Sequence, residues 1–113
     1  RLPKRLPPNL AMEMALTGDT IDATRAYQHG LVNILCEPDE AIEKAKGLAE
    51  RINANAPLAV RATRKAVLEG TLAPDEDGIR IAVEHFRPVA ASEDAKEGPL
   101  AFVEKRPPEW KAR

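Results

Sequence analysis

Apolar residues recur at helical spacing along this chain, and proline or glycine interrupts the pattern at short intervals. The clearest stripe consists of Ala41, Ala45, Leu48 and Ile52, which lie at positions i, i+4, i+7 and i+11. Because an α-helix turns once in about 3.6 residues, these side chains share one face. The stripe predicts an amphipathic helix that ends near Asn53. A chain patterned in this way is expected to fold as several short helices with narrow apolar faces.

The first helix is expected soon after the N-terminal prolines. Asn9 is a candidate N-cap for a helix over about residues 10–16, because its side chain can accept a backbone N–H of the first turn. Gly18 can adopt the positive φ with which many helices end. The residues expected to be buried include Met12, Ala15 and Leu16.

A second, shorter helix is predicted over residues 23–28, with Asp22 as its cap. Gly30 lies where a left-handed residue commonly follows a helix. Residues 31–36 form a short apolar run, which indicates a strand or an extended segment rather than a helix. The run ends at Glu37 and Pro38.

Prolines also mark the boundaries of the later helices. Pro57 suits the first position of a helix that runs to about Gly70, and the next begins near Pro74. Pro88 is expected to kink or end the helix that begins near Pro74. Ser92 is expected to cap the last helix. The stripe of the helix after Pro74 consists of Ile79, Ala82, Val83, Phe86 and Ala90. The predicted fold class is therefore mostly α, with four to six helices and at most one short strand.

The charge balance argues against a nucleic-acid partner. The chain has 17 Lys and Arg against 18 Asp and Glu, a formal net charge of −1 and a pI near 6.2, so it lacks the basic excess of nucleic-acid-binding domains. No apolar run approaches the ~20 residues of a membrane span. The one cysteine, Cys36, cannot form an internal disulfide, which is typical of a reducing compartment. We expect a cytoplasmic protein that binds neither nucleic acid nor membrane.

Catalytic and metal-binding motifs do not stand out in the sequence. The six glycines are scattered, so none of them forms a phosphate-cradling loop. His29 and His85 lie far apart without cysteines at metal-ligand spacing, and we predict no metal site. Several carboxylates near helix starts are interpreted as partners of the helix dipole rather than as an acid–base pair. These carboxylates are Asp75, Asp77, Glu93 and Glu97.

Two strings of the sequence carry a resemblance to a known family. Residues 10–23 (LAMEMALTGDTIDA), followed by Gly30-Leu31-Val32-Asn33, are similar to the segment just after the active site in the enoyl-CoA hydratase/isomerase (crotonase) family. Residues 92–98 (SEDAKEG) and 101–106 (AFVEKR) resemble the last-helix signature of that family. The resemblance implies the C-terminal helical part of the α/β crotonase (ClpP/crotonase-like) fold. Residues 1–36 would end its core, and residues 37–113 would form a helical oligomerisation region.

The resemblance also implies a binding site. In the family the last helix lies near the adenine of an acyl-CoA, often one bound by the neighbouring subunit, and Phe102 and Lys105 match positions that contact it. The alternative is that Phe102 anchors the core and Lys105 is a solvated cation at the helix end. Gly98-Pro99 departs from the family's commoner apolar residue after the glycine, and a kink there would shift both side chains.

The resemblance implies that the parent protein is an enzyme acting on acyl-CoA thioesters in fatty acid metabolism. Its reaction would be that of a hydratase-like lyase or isomerase. It would form a homo-oligomer, either a trimer or a dimer of trimers. Its oxyanion N–H groups and catalytic carboxylates lie upstream in the family, so no catalytic residue is assigned here and this chain alone is expected to be inactive. No cofactor is implied beyond the coenzyme A of the substrate. The alternative is a stand-alone helical protein-interaction module, and a helical nucleic-acid adaptor has no support from the charge balance.

Overall fold

The computed structural model describes residues 2–113 and is mostly helical. A 3₁₀ turn at Leu2–Lys4 precedes α1 (Pro8–Thr17), α2 (Ala23–Gln28), α3 (Ala41–Asn53), α4 (Pro57–Gly70), α5 (Asp75–Ala90) and α6 (Asp94–Glu104). Residues 2–113 thus contain six α-helices and no β-strand, which confirms the predicted fold class. Within this range no helix combines the length and the apolar character that crossing a membrane requires.

The chain divides into two compact units. The first ends at Lys46 and the second comprises Gly47–Arg113, so the boundary falls inside α3. The expected division of roles, with a core segment before residue 37 and an oligomerisation region after it, stays a prediction.

The core of the first unit brings α1 against the residues that flank it. Its buried side chains are Leu6, Leu10 and Ala11, with Met14, Ile21 and Leu31 packed against them. The prediction that Met12 and Leu16 are buried is wrong, because these side chains are 59% and 77% exposed, and Ala15 is exposed as well. Since α1 carries apolar residues on more than one face, its spacing alone could not select the face that its neighbours cover.

The caps and glycines predicted at the ends of the first two helices are found in the structure, except for the cap at Asn9. Pro8 rather than Asn9 begins α1, without a side-chain cap, because the first helical position needs no N–H donor and suits proline. Asp22 caps α2 as predicted, its Oδ1 accepting the backbone N–H of Arg25 at 2.7 Å. Gly18 and Gly30 both have positive φ, +76° and +72°, as their positions after helices require.

The short strand expected over residues 31–36 is not formed. The segment is neither helical nor paired as a strand, since no residue between 2 and 113 supplies a neighbouring strand. Leu31 still packs against the core of the first unit, whereas Ile34 and Leu35 are exposed.

The second unit is organised by the antiparallel neighbours α4 and α5, which pack along much of their length. Ala62 is buried in α4, and Ile81 and Ala82 of α5 are half-buried. The stripe predicted for α5 is only partly its buried face, because Ala82 is half-buried whereas Ile79 is 78% and Val83 52% exposed. Three larger apolar side chains of α5, Ile79, Val83 and Phe86, are thus exposed.

Pro88 does not end α5 as one alternative had it, since the helix continues to Ala90. Proline removes one backbone N–H donor from the helix. Elsewhere on α5, a side-chain contact joins the helix to α4. Nε2 of His85 lies 2.7 Å from a carboxylate oxygen of Glu69 at the end of α4.

Removal of the Asp22 cap should destabilise the first unit. Asp22→Ala leaves a first-turn N–H of α2 without its acceptor, and we expect a loss of about 1 kcal/mol in the free energy of unfolding. Asp22→Asn keeps an acceptor oxygen in the same place and should remain close to the parent. Urea unfolding followed by circular dichroism measures the difference, and equal stability of the Ala and Asn variants would contradict the assigned role.

Candidate functional site

The residues after α6 fold back along the start of that helix. We call residues 106–113 the tail. The backbone N–H of Glu93 donates to the carbonyl oxygen of Arg113 at 2.7 Å, and the Glu93 carboxylate pairs with the side chains of Lys111 and Arg113 at 3.7 and 3.2 Å. The tail thus returns to the first turn of α6, where it finds further acceptors.

Asp94 is the main acceptor of the tail backbone. This side chain is buried, and its two oxygens accept the N–H groups of Lys111 at 2.7 Å and Ala112 at 3.0 Å. A buried carboxylate is stable only when hydrogen bonds replace its lost water, and the two amides supply them. The helix-dipole interpretation of the neighbouring Glu93 and Glu97 did not anticipate a contact between this end of α6 and the tail.

Glu97 forms the second attachment of the tail. Its carboxylate accepts both Nη atoms of Arg106, at 2.5 and 3.0 Å, and the backbone N–H of Glu109 at 2.7 Å. The Arg106 hydrogen bonds, followed by the Glu109 N–H, lower the pKa of Glu97 from 4.5 to about 2. Nε of Arg106 donates to Glu104 at 2.6 Å. The hydrogen bonds to Glu97 and Glu104 raise the pKa of Arg106, so the pair stays ionised across the physiological range.

Trp110, the one tryptophan of the sequence, fastens the tail to the rest of the second unit. Its indole Nε1 donates to the carbonyl oxygen of Ala54, just after α3, at 2.9 Å. The ring lies beside Gly98, where an added Cβ would stand 3.4 Å from ring atom Cη2. The indole thus packs against α6 at Gly98, at a distance where a Cβ would make ordinary van der Waals contact. The helix continues through the neighbouring Pro99, at which a kink had been considered.

Ser92 acts near the start of α6 in the manner expected of a cap. It is buried, its Oγ accepts the backbone N–H of Ala95 at 3.2 Å, and its hydroxyl donates to the carbonyl oxygen of Val89 at 2.6 Å. The helix itself begins two residues later, at Asp94.

The two residues predicted to contact coenzyme A lie at the other end of α6. Phe102 is 85% exposed, so it is not a core anchor within this chain. Lys105 is exposed and follows the last helical residue in a left-handed conformation, with φ 54° and ψ 37°. Its N–H donates to the carbonyl oxygens of Ala101 and Phe102. Lys105 therefore lies just beyond the last helical residue rather than within α6.

The histidine and carboxylate side chains of residues 2–113 do not form a candidate metal site. His85 is engaged with Glu69 on α4 and α5, and residues 2–113 contain no group of three or more His, Cys, Asp or Glu side chains that could hold a metal ion. Sequence reasoning had overlooked the tail contacts of Glu97 and Trp110. The available signals were a glutamate nine residues before an arginine and a lone aromatic residue after two prolines.

Comparisons with known proteins converge on one family. A family model described as enoyl-CoA hydratase/isomerase matches residues 1–113. The crystal structure of enoyl-CoA hydratase from Mycobacterium tuberculosis H37Rv is 46% identical with a TM-score of 0.94, and the match covers 100% of this chain and 45% of that one. For enoyl-CoA hydratase from Bacillus anthracis the identity is 32%, the TM-score 0.93 and the coverage 98% and 43%.

A curated relative shows the same coverage. Carnitinyl-CoA dehydratase of Proteus mirabilis (strain HI4320) is 41% identical over 117 residues, which include 100% of this chain and 45% of that protein. The chain thus spans about half the length of the curated relatives it matches.

Acid should release the tail through Glu97. Because folding lowers the pKa of Glu97 from 4.5 to about 2, the stability that it contributes is complete above pH 4.5 and is lost as the pH falls towards 2. Trp110 reports tail release as a red shift of its fluorescence, and we expect the shift to develop over this interval.

The matched control is Glu97→Gln, which removes the charge and keeps the shape. Its emission should be red-shifted already at pH 7, with a smaller change on acidification. A variant that titrates like the parent would show that another carboxylate governs the tail.

Proposed function

Because the chain belongs to the enoyl-CoA hydratase/isomerase family, we propose that it forms the C-terminal part of an acyl-CoA enzyme and supplies one edge of the coenzyme A site. The observation that carries the proposal is the end of α6, where Phe102 is 85% exposed and Lys105 is exposed in a left-handed turn just after the helix. An aromatic ring left in water is costly unless a partner covers it. An adenine presents a flat π-face on which such a ring stacks, and an ammonium group binds phosphate as a point charge.

The parent activity is proposed to be hydration or dehydration at the acyl chain of a thioester. The solved relatives are called enoyl-CoA hydratases and the curated relatives carnitinyl-CoA dehydratases, which support a lyase on acyl-CoA in acyl-CoA or fatty acid metabolism. We assign no catalytic residue among the 113, and we expect this chain alone to show no turnover of crotonyl-CoA above the uncatalysed rate. The coenzyme A is part of the substrate, and no separate cofactor is proposed.

The apolar side chains of the second unit favour self-association. Ile79 and Val83 on α5 and Val103 on α6 are 78%, 52% and 76% exposed. Such a set of large apolar side chains gains free energy when another surface covers it. We propose that copies of the same protein do so, in a trimer or a dimer of trimers, in the cytoplasm and without nucleic acid or membrane.

A second candidate uses the same exposed side chains differently. A stand-alone helical interaction module would bury Ile79, Val83 and Val103 against another protein. The two candidates differ in whether the purified protein, without any partner, self-associates.

Light scattering on the purified full-length protein separates the candidates. Self-assembly predicts a mass of three or six protomers at micromolar concentration, and Val103→Asp should reduce it because a buried charge without a partner is costly. A monomer that remains stable at that concentration would favour the interaction module.

The contact with coenzyme A is tested by Lys105→Ala in the full-length enzyme. The nucleotide is remote from the reacting carbons, so the lost interaction is nearly equal in the ground state and the transition state, and KM should rise with little change in kcat. For an ion pair at a wet rim we expect a rise of at most roughly fivefold.

Two controls sharpen this measurement. Higher salt should shrink the difference, because exposed charges are screened over about 10 Å at 0.1 M. A crotonyl thioester of N-acetylcysteamine, which lacks the nucleotide, should react equally with both enzymes. An unaltered KM for crotonyl-CoA at low salt would mean that Lys105 is only a solvated cation.

A further inference from the structure

Lys105 has a backbone conformation that a lysine adopts reluctantly. Its φ is 54°, and in residues 2–113 the only other non-glycine residue with positive φ is Ala112. Glycine is the usual residue just after a helix, because a Cβ clashes with the neighbouring carbonyl in the left-handed region. A lysine at this position of α6 therefore carries a local conformational cost. Strained residues of this kind concentrate at functional sites.

The residue that follows Lys105 is held on α6 at several points. The backbone N–H of Arg106 donates to the carbonyl oxygen of Ala101 at 3.1 Å. Its guanidinium binds Glu97 through both Nη atoms and Glu104 through Nε. A planar guanidinium that meets a carboxylate through two parallel hydrogen bonds has little freedom to rotate. Arg106 thus has its backbone and its side chain fixed to the same helix.

We propose that the Glu97–Arg106 ion pair is a positioning device that holds Lys105 in its left-handed conformation and directs its ammonium group to the nucleotide end of coenzyme A. This inference rests on the proposed coenzyme A edge. Arg106 and Glu97 face each other, and both act through Lys105. Phe102 is positioned by the helix itself, so the device serves the cation rather than the ring.

Arg106 differs from another arginine of the second unit with two carboxylate partners, because a residue with positive φ, Lys105, adjoins Arg106. Arg80 on α5 also binds two carboxylates, Asp77 at 2.9 Å and Glu84 at 3.0 Å. That cluster lies within one regular helix and adjoins no strained residue. Arg80 is accordingly a matched control for the loss of an arginine with two partners.

The experiment compares steady-state kinetics of the full-length enzyme and its variants. Arg106→Met and Glu97→Gln should each raise KM for crotonyl-CoA about two- to fivefold, up to the factor produced by Lys105→Ala, with kcat unchanged. Arg106→Lys should rescue only part of the loss, since an ammonium group cannot replace the bidentate contact. Arg80→Met should leave both constants unchanged.

The positioning role predicts that the effects of the Lys105 and Arg106 substitutions on KM do not add. A merely structural role of Arg106 would not give this result. Once Lys105 is alanine, Arg106→Met should raise KM no further, because both changes remove the same contact. Crotonyl-N-acetylcysteamine should be insensitive to all of these variants. Lys105→Gly should raise the thermal stability relative to Lys105→Ala, since glycine relieves the strain, while both lose affinity for crotonyl-CoA equally.

Each outcome separates the positioning role from the proposed function. If Lys105→Ala leaves KM unchanged, the coenzyme A contact is wrong and the positioning role falls with it. If Lys105→Ala raises KM but Glu97→Gln and Arg106→Met do not, or their effects add to it, the contact stands and the positioning role is overturned. Glu97→Gln keeps the test decisive where Arg106→Met fails to fold.

Discussion

Carboxylates near the start of α6 hold the irregular end of the chain in place. A segment outside helix and sheet must find partners for its backbone N–H groups, and Asp94 and Glu97 accept three of them from the tail. The turn at Lys105 lies next to the attached segment, and the ring of Trp110, which belongs to that segment, lies beside Gly98. The candidate coenzyme A edge is thus built from one helix and the acceptors that the same helix presents.

Burial in this protein depends on small side chains. The buried apolar residues between positions 2 and 113 are two leucines and four alanines, Leu6, Leu10, Ala11, Ala26, Ala62 and Ala101. Alanines let helices approach closely but remove little apolar area from water. The larger apolar side chains, such as Ile79 and Phe102, lie outside. The apolar core that this chain builds from its own residues is therefore small.

Sequence reasoning succeeded where the determining interactions are local. The periodic stripes predicted the helices, and Asp22 and Gly30 marked their ends, because caps and left-handed residues act within a few positions. It failed where a distant neighbour decides. α1 could have buried Met12 or Leu10, and only its packing partners select the second. From the sequence, Glu97 was interpreted as an ordinary first-turn carboxylate. Its contact with the tail could not be predicted, because that contact depends on a turn that sequence spacing does not specify.

The contact of Trp110 with Ala54 has a consequence for the order of assembly. It joins residues 56 apart in sequence, whereas the tail reaches Glu97 and Asp94 across 9 to 18 residues. The entropic cost of closing a loop grows with its length, so nearer partners meet first unless the chain between has already become compact. α4, α5 and α6 fill the interval, and their folding shortens the gap that the indole must close. We therefore expect the contact of Trp110 with Ala54 to form after the contacts of the tail with Glu97 and Asp94, and to depend on the packing of the helices between.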